Sequence, residues 1–405
     1  MVGGMEAAIH TMPRRRFGRT ELQMPVFSCG GMRYQQTWDD LDADKIDADS
    51  QANVEACIHR ALQLGINHIE TARGYGTSEK QLGRILPDLP RDKIIVQTKL
   101  GPKDSADAFM QVFDTSMNNL GLDHVDLLGI HGVNTQELLD KALKPDGMMP
   151  AIRQMQRAGR IRHVGFSTHG PVGVIVRAIE SGEFDYVNLH WYYVNPFNWP
   201  AVEAAARMDV GVFIISPNDK GGKLYEPSEK MKALCAPLTP MQFNDLYCLS
   251  QDEVHTLSLG ASRPSDFDEH VEALKHWDER KALTAEIDQR IQAALIAQHG
   301  EAWVKHWHEG LPDWTEVPGE INVFEILRLW TYGAALDLIG WAKMRYNLLG
   351  QGDHWFPGRN AAELDQHNLD EVLAQSPFRG EIPGILREAH ARFFEAPVPR
   401  ASQGG

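Results

Sequence analysis

The chain has 405 residues, 43% of them hydrophobic and 23% charged, close to the average for globular proteins, which excludes a disordered or fibrous chain. Forty Lys and Arg against 55 Asp and Glu give a formal net charge of −15. Such a surface repels phosphate backbones and anionic lipid heads, so neither nucleic acid nor a membrane is an expected partner. The four cysteines, Cys29, Cys57, Cys235 and Cys248, show no CxxC spacing, which argues against a disulfide framework or structural zinc. No run approaches the ~20 apolar residues that span a bilayer, and the first residues, MVGGMEAAIHTMPRRRFG, lack the apolar core of a signal peptide. A cytoplasmic protein is expected.

In chain order, short runs rich in Val, Ile and aromatic residues predict strands over 26–32, 66–72, 93–100, 124–132, 161–169, 186–193, 210–217 and 254–261. Helical spacing of apolar side chains fills the gaps, over 51–64, 78–86, 106–120, 149–158, 172–181, 201–208 and 264–274. Strict strand–helix alternation requires right-handed crossovers and a parallel sheet. Eight such units in about 250 residues close a (β/α)8 TIM barrel, an α/β fold. An open doubly wound sheet would need a glycine-rich GxGxxG turn after the first strand, and Cys29-Gly30-Gly31-Met32 does not make one. From about residue 279 strand-like runs stop, so the expected domains are a barrel over 14–278 and an all-helical C-terminal appendage over 279–405. The appendage is Trp-rich, and 324–346 is its clearest helical stretch. A fifteen-residue loop around 221–235 is expected near the barrel mouth.

In such a barrel the chemistry sits where strands end. The groups there are Glu70 and Thr71, Lys99, His131, Ser167 to His169, Asn188 to His190, and Ser216-Pro217. Glu70 and Lys99 would be costly to bury singly and satisfy one another as a pair. Tyr75, in the turn Arg73-Gly74-Tyr75-Gly76, can be set over the mouth, where a nearby cation favours its ionised form and makes it a better proton donor.

Ile69-Glu70-Thr71-Ala72-Arg73-Gly74-Tyr75-Gly76, Gln97-Thr98-Lys99 and Asp126-Leu127-Leu128-Gly129-Ile130-His131-Gly132 together resemble the aldo/keto reductase family in spacing and order. Phe17-Gly18-Arg19-Thr20, Gly30-Gly31-Met32, Arg160 to Ser167, Ile215-Ser216-Pro217 and Gly260-Ala261-Ser262-Arg263-Pro264 extend the likeness from Arg15 to about Leu274. The resemblance implies a nicotinamide-dependent oxidoreductase that reduces an aldehyde or ketone. In it Tyr75 is the general acid, Lys99 lowers its pKa and His131 orients the carbonyl. The family's aspartate falls on Glu70, one methylene longer by about 1.3 Å, so the pair with Lys99 must be rebuilt. Carboxamide contacts fall on Ser167, on Thr168 in place of Asn, and on Asn188 in place of Gln. Ile215 takes the place of the aromatic that stacks on the nicotinamide. Ser216, Ser262, Arg263 and Glu269 complete the implied nucleotide site, with His270 in place of Asn. Arg263 is the expected 2′-phosphate contact, so NADPH is expected rather than NADH. Tyr34, Trp191, Tyr192, Tyr193 and Trp199 are the expected pocket wall, suited to an apolar or ring-bearing carbonyl substrate.

The tail resembles that of aldo/keto reductases fused to a ferredoxin-like iron–sulfur domain, through Ile382-Pro383-Gly384-Ile385-Leu386-Arg387-Glu388-Ala389-His390 after Ser376-Pro377, and Ala342-Lys343-Met344-Arg345-Tyr346. The cluster motif is Cys-x2-Cys-x2-Cys-x3-Cys-Pro. Its thiolates would fall on Gln366, Leu369, Val372 and Ser376, so no iron–sulfur cluster is expected and the tail is a relic. Two rival readings remain. The first is a nucleotide-binding regulatory or scaffold protein with a slow or silent reductase site. The second is a metal-dependent hydrolase using His68, His131, His169 and His190, although the first strand lacks a His-x-His pair.

Overall fold

The computed structural model describes residues 12–395. Its first element is a hairpin, β1 (Arg14–Arg16) paired antiparallel with β2 (Gln23–Pro25), which the sequence reading did not anticipate. Phe17 and Leu22, in its connection, and Met24 of β2 pack with Ile95, Leu127, Tyr186 and Phe213 from barrel strands. The hairpin thus brings three apolar side chains to the barrel core while its arginines stay outside. Arg15 is the half-buried exception, donating to the carbonyls of Leu249 (2.6 Å) and Gln251 (2.6 Å).

The eight expected strands are all present: β3 (Phe27–Gly30), β4 (His68–Glu70), β5 (Ile95–Leu100), β6 (Val125–Ile130), β7 (Ile161–Ser167), β8 (Tyr186–Leu189), β9 (Gly211–Ile214) and β10 (Thr256–Leu259). They close into one barrel in chain order, β10 pairing parallel with β3 and with β9. The molecule is a (β/α)8 barrel with an additional helical C-terminal region. Nearly every strand residue is buried, as expected where side chains inside meet one another and those outside meet helices. The helices largely follow the predicted spans, for example Ala48–Gln63, Ala106–Leu120 and Asp266–Ala273. The first two carry side-chain caps: Asp47 accepts from the Asp49 and Ser50 amides, and Ser105 from the Ala108 amide. A further helix, Pro240–Leu249, went unread. It is buried on nearly all sides, so it carries no polar stripe to mark it.

Backbone contacts divide the chain into two compact units. One comprises residues 12–221 and 241–284, the other 222–240 and 285–395. The first holds the whole barrel. The sequence reading placed a barrel loop around 221–235; in the structure 222–240 groups with the helical unit and contains the helix Glu229–Cys235. Within the second unit, the predicted stretch 324–346 is two helices, Val323–Ala335 and Ile339–Tyr346, broken where Asp337 adopts φ +55°. The two pack closely, since a side chain at Gly333 would stand 3.0 Å from the Ala342 Cβ. The helix Ile382–Phe393 joins them: His390 Nδ1 meets the Tyr346 hydroxyl at 2.8 Å, and that hydroxyl accepts from the Ala361 amide. Trp303 and Trp341 are buried in this unit.

Candidate active site

At the mouth of the barrel the ends of β4, β5 and β6 deliver three polar side chains. Glu70 ends β4, Lys99 is the penultimate residue of β5, and His131 directly follows β6. Lys99 is buried, and its ammonium pairs with Glu70 and donates to the Thr71 carbonyl at 2.8 Å. Its register partner is Gly129. A Cβ there would lie 2.8 Å from Lys99 Cγ, so the glycine leaves the space through which the lysine stem runs.

Tyr75 is set by the turn after β4. Its amide donates to the Ala72 carbonyl, its carbonyl accepts from the Ser78 amide, and Gly76 follows with φ +50°. A Cβ at Gly76 would stand 1.9 Å from the Thr37 carbonyl oxygen, so conformation and close approach both demand glycine. Arg73 and Lys80 both reach Asp40, the latter at 2.7 Å, which ties the turn to 37–41. The phenol ring ends between two charged or titratable groups. Lys99 Nζ lies over its face 4.6 Å from the centroid, and the His131 ring stands edge-on at 5.5 Å and 85°. Trp38, 62% exposed, crosses it edge-on at 6.4 Å. Sequence reasoning missed Trp38, because nothing local ties an exposed tryptophan to a turn 37 residues away.

The electrostatics of this corner differ from expectation. Burial pushes the Tyr75 phenol above its ordinary value, and burial pushes the Lys99 ammonium well below the usual lysine range. The adjacent Glu70 carboxylate acts on Lys99 in the opposite sense. Burial sets the direction of both shifts, while the Lys99 cation addresses the ring face and donates to Glu70 and the Thr71 carbonyl.

Across the mouth, β7 to β10 carry the positions expected to hold a nucleotide. Ser167 and Asn188 are register partners on β7 and β8. Asn188 is wholly buried, and neither Oδ1 nor Nδ2 has a hydrogen-bond partner. That is a costly state for a primary amide, and one that a planar amide ligand relieves. The other two positions are spoken for. Ser167 Oγ accepts from the Gly132 amide (3.1 Å), while the Thr168 hydroxyl donates to the Val133 carbonyl (2.7 Å) and accepts from the Gly170 amide. Ser216 lies in the loop after β9 with φ +53°, a strained setting for a residue with a side chain. Ser262 and Arg263 precede the helix Asp266–Ala273. Both their amides donate to the Asp266 carboxylate, which also holds Arg263 Nε at 2.8 Å. Glu269 is half-buried on that helix, and its carbonyl accepts from Gln242. His270 is buried, in contact with Asp245 (2.5 Å) and with the Asn218 amide.

The expected pocket wall is largely core. Trp191, Tyr192 and Tyr193 are buried, with Trp191 stacked on Tyr247 at 5.2 Å and Tyr193 edge-on to Phe243. Tyr34 is buried too, its hydroxyl 2.6 Å from Cys29 Sγ. The helix that covers the aromatic run is the unread Pro240–Leu249. As for the hydrolase reading, His68 is buried against Ser28 with its pKa lowered to about 3 by burial. Among the described residues no group of three or more His, Cys, Asp or Glu could hold a metal ion.

A parallel eight-stranded barrel thus gathers a tyrosine, a lysine paired to a carboxylate and a histidine at the ends of three adjacent strands. The sequence model of the aldo/keto reductase family matches residues 27–196, and over this region the chain is similar to that family. An aldo-keto reductase from Mycolicibacterium smegmatis is 32% identical over 180 residues, covering 43% of this chain and 62% of the relative. The chain therefore spans under two thirds of that protein. L-glyceraldehyde 3-phosphate reductase of Escherichia coli is 22% identical over 339 residues, covering 69% of this chain and 92% of the relative. Among solved structures, an aldo-keto reductase from Bacillus halodurans aligns with TM-score 0.55 and 21% identity, covering 68% of this chain and 96% of the other, a likeness of fold.

Proposed function

We propose that the barrel is an NADPH-dependent reductase of aldehydes or ketones, with Tyr75 as the general acid. The observation that carries this reading is the placement of the Tyr75 phenol between the Lys99 ammonium and the His131 ring at the ends of β4, β5 and β6. A reduced nicotinamide held on the β7–β9 side would supply the hydride. This chain's own part is to receive the substrate carbonyl against Tyr75 and His131 and to deliver the phenolic proton to its oxygen. It must also stabilise the phenolate left behind with the Lys99 cation. A phenol kept protonated by burial is a competent acid throughout the neutral range. The Lys99–Glu70 pair fixes the ammonium beneath the ring, so the charge is in place when the phenolate forms.

The nucleotide site is supported by the unsatisfied Asn188 amide, which fits a carboxamide, and by Ser167 and Ser216 nearby in the fold. Thr168 contributes through the backbone it braces, its hydroxyl being engaged. NADPH over NADH rests on Arg263, whose side chain is 74% exposed with only its Nε engaged by Asp266. Glu269 and Ser262 stand on the same loop and helix. The partner implied is a small carbonyl compound, and the relative named for L-glyceraldehyde 3-phosphate makes phosphorylated aldehydes the first to try. Four free, buried cysteines suit a reducing, cytoplasmic setting, and no described helix is long and apolar enough to cross a membrane. We read the tail as an iron-free packing module, since no cysteine follows Cys248.

The test is oxidation of NADPH by a panel of aldehydes and ketones, including phosphorylated aldehydes, with wild type and Tyr75→Phe. Turnover that depends on Tyr75 is expected. Tight nucleotide binding with no turnover on any member would instead favour a regulatory nucleotide-binding protein.

A further inference from the structure

Another buried carboxylate, Glu79, lies just beyond the Tyr75 turn on the short helix Ser78–Leu82. Both its oxygens reach outside that helix: Oε1 accepts from the Thr98 hydroxyl at 2.7 Å and Oε2 from the Asn119 side-chain amide at 3.2 Å. Donors on both oxygens suit a carboxylate, which only accepts. Holding such a group out of water on neutral donors is costly, and an apolar residue of similar size would cost the fold less. What the contacts join is therefore the question.

Thr98 is the residue before Lys99 on β5. Neighbouring residues of a strand face opposite ways, so Glu79 grips β5 from one face while Lys99 turns to Glu70 on the other. The beginning of the turn is tied to the same strand, the Thr71 amide donating to the Gln97 carbonyl at 2.8 Å and the Arg73 amide to the Lys99 carbonyl at 2.9 Å. The segment 71–79 is thus fastened to β5 on both sides of Tyr75. The ring it carries stands 4.6 Å from Lys99 Nζ. Ser78 Oγ, bonded to the Thr71 hydroxyl and the Gly31 carbonyl, closes the segment on itself and on β3's end without reaching β5. The Asn119 contact also leads elsewhere, to the end of the helix Ala106–Leu120. There the two helices already touch, since a Cβ at Gly83 would stand 1.8 Å from the Asn119 carbonyl oxygen.

We propose that Glu79 is a positioning residue which, through the Thr98 hydroxyl, sets the Tyr75 phenol over the Lys99 ammonium. Its effect on rate rests on the reductase reading. Its effect on the surroundings of Tyr75 does not, because the strand and the turn carry it whether or not a carbonyl is reduced there.

The experiment compares full-length Thr98→Val, Thr98→Ser and Asn119→Ala with wild type by two readouts. One is single-turnover oxidation of bound NADPH by a reactive aldehyde, with the nucleotide Kd measured alongside; the other is the ultraviolet titration of Tyr75, each protein minus the same protein carrying Tyr75→Phe. Thr98→Val removes the bond to β5 and should lower the rate about tenfold through misplacement of the acid, with the Kd unchanged. Its phenolate should form at lower pH than in wild type, as the ring loosens from its buried place. Thr98→Ser keeps the hydroxyl and should restore both readouts. Asn119→Ala removes a bond from the same carboxylate and should leave both as in wild type. If Thr98→Val does not fold, Thr98→Cys, whose thiol is a weaker donor, carries the test with a smaller change in the same direction. The proposal is overturned if the folded variant keeps the wild-type rate, or if Asn119→Ala slows the reaction as much, which would make Glu79 a packing group alone. In a protein that oxidises no NADPH the titration decides: a shift in Thr98→Val and none in Asn119→Ala would keep the placement and remove the reductase, and no shift in either would remove both. Tyr75-dependent turnover indifferent to Thr98→Val would keep the reductase and remove the placement.

Discussion

The two sides of the barrel mouth are finished to different degrees. On the β4–β6 side each polar group is placed by another: Lys99 holds Glu70 and the Thr71 carbonyl, Gly129 clears the path of its stem, and Tyr75 is pinned by its turn and flanked by His131. On the β7–β10 side one amide is unsatisfied, at Asn188, while other groups are engaged with the backbone, as at Ser167 and Thr168, or with one another, as at Arg263 and Asp266. A proton-transfer site must be organised before its substrate arrives, since misplacement of the acid costs rate directly. A nucleotide site can leave contacts open, because the ligand itself supplies the missing partners and their energy appears as affinity.

That contrast can be broken at several points. Lys99→Met should have the largest effect, since it leaves Glu70 buried without its counter-ion. A loss of about 3–5 kcal/mol in stability is expected from denaturant unfolding, together with loss of turnover; a fully stable variant would show that the pair is not what organises this side. Gly129→Ala should follow, because its methyl must displace the Lys99 stem. We expect about 1–3 kcal/mol of destabilisation and a fall in kcat with nucleotide affinity unchanged. On the other side, Asn188→Ala should weaken nucleotide binding by about tenfold while leaving stability intact or improved, as calorimetry would register, because it removes buried polar atoms that lack partners. Asp266→Asn should have the smallest effect, a gain of about 0.2–1 kcal/mol in NADPH binding with NADH little changed, measured by fluorescence titration.

Acidity gives a further handle on the first side. Burial raises the Tyr75 pKa, so its proton is held to higher pH than in a free phenol, whose pKa is about 10. A wild-type minus Tyr75→Phe ultraviolet difference titration should show no phenolate from this residue until the pH exceeds that value. Ionisation at lower pH would mean that Lys99 outweighs burial.

The eight barrel strands were legible because parallel strands buried on both faces read as continuous runs of Val, Ile and Leu. The first side of the site was legible for a related reason: Glu70, Lys99 and His131 are charged or titratable residues abutting such runs, and a strand end is the one place a barrel tolerates them. What escaped lacked a local signal. The hairpin begins as three arginines, and Pro240–Leu249 is buried all round and so shows no amphipathic period. Without that helix, Trp191 to Tyr193 looked like a pocket wall rather than core. Asp337 gave no warning of a break inside 324–346, as one left-handed residue leaves the apolar pattern on either side intact.

The central claim is that Tyr75 delivers the proton, and single-turnover oxidation of bound NADPH tests it most directly. With a reactive aldehyde, wild type should oxidise the nucleotide, and Tyr75→Phe should bind it equally well yet react about a thousandfold more slowly, within the usual span for loss of a general acid. Equal rates in the two proteins would contradict the account.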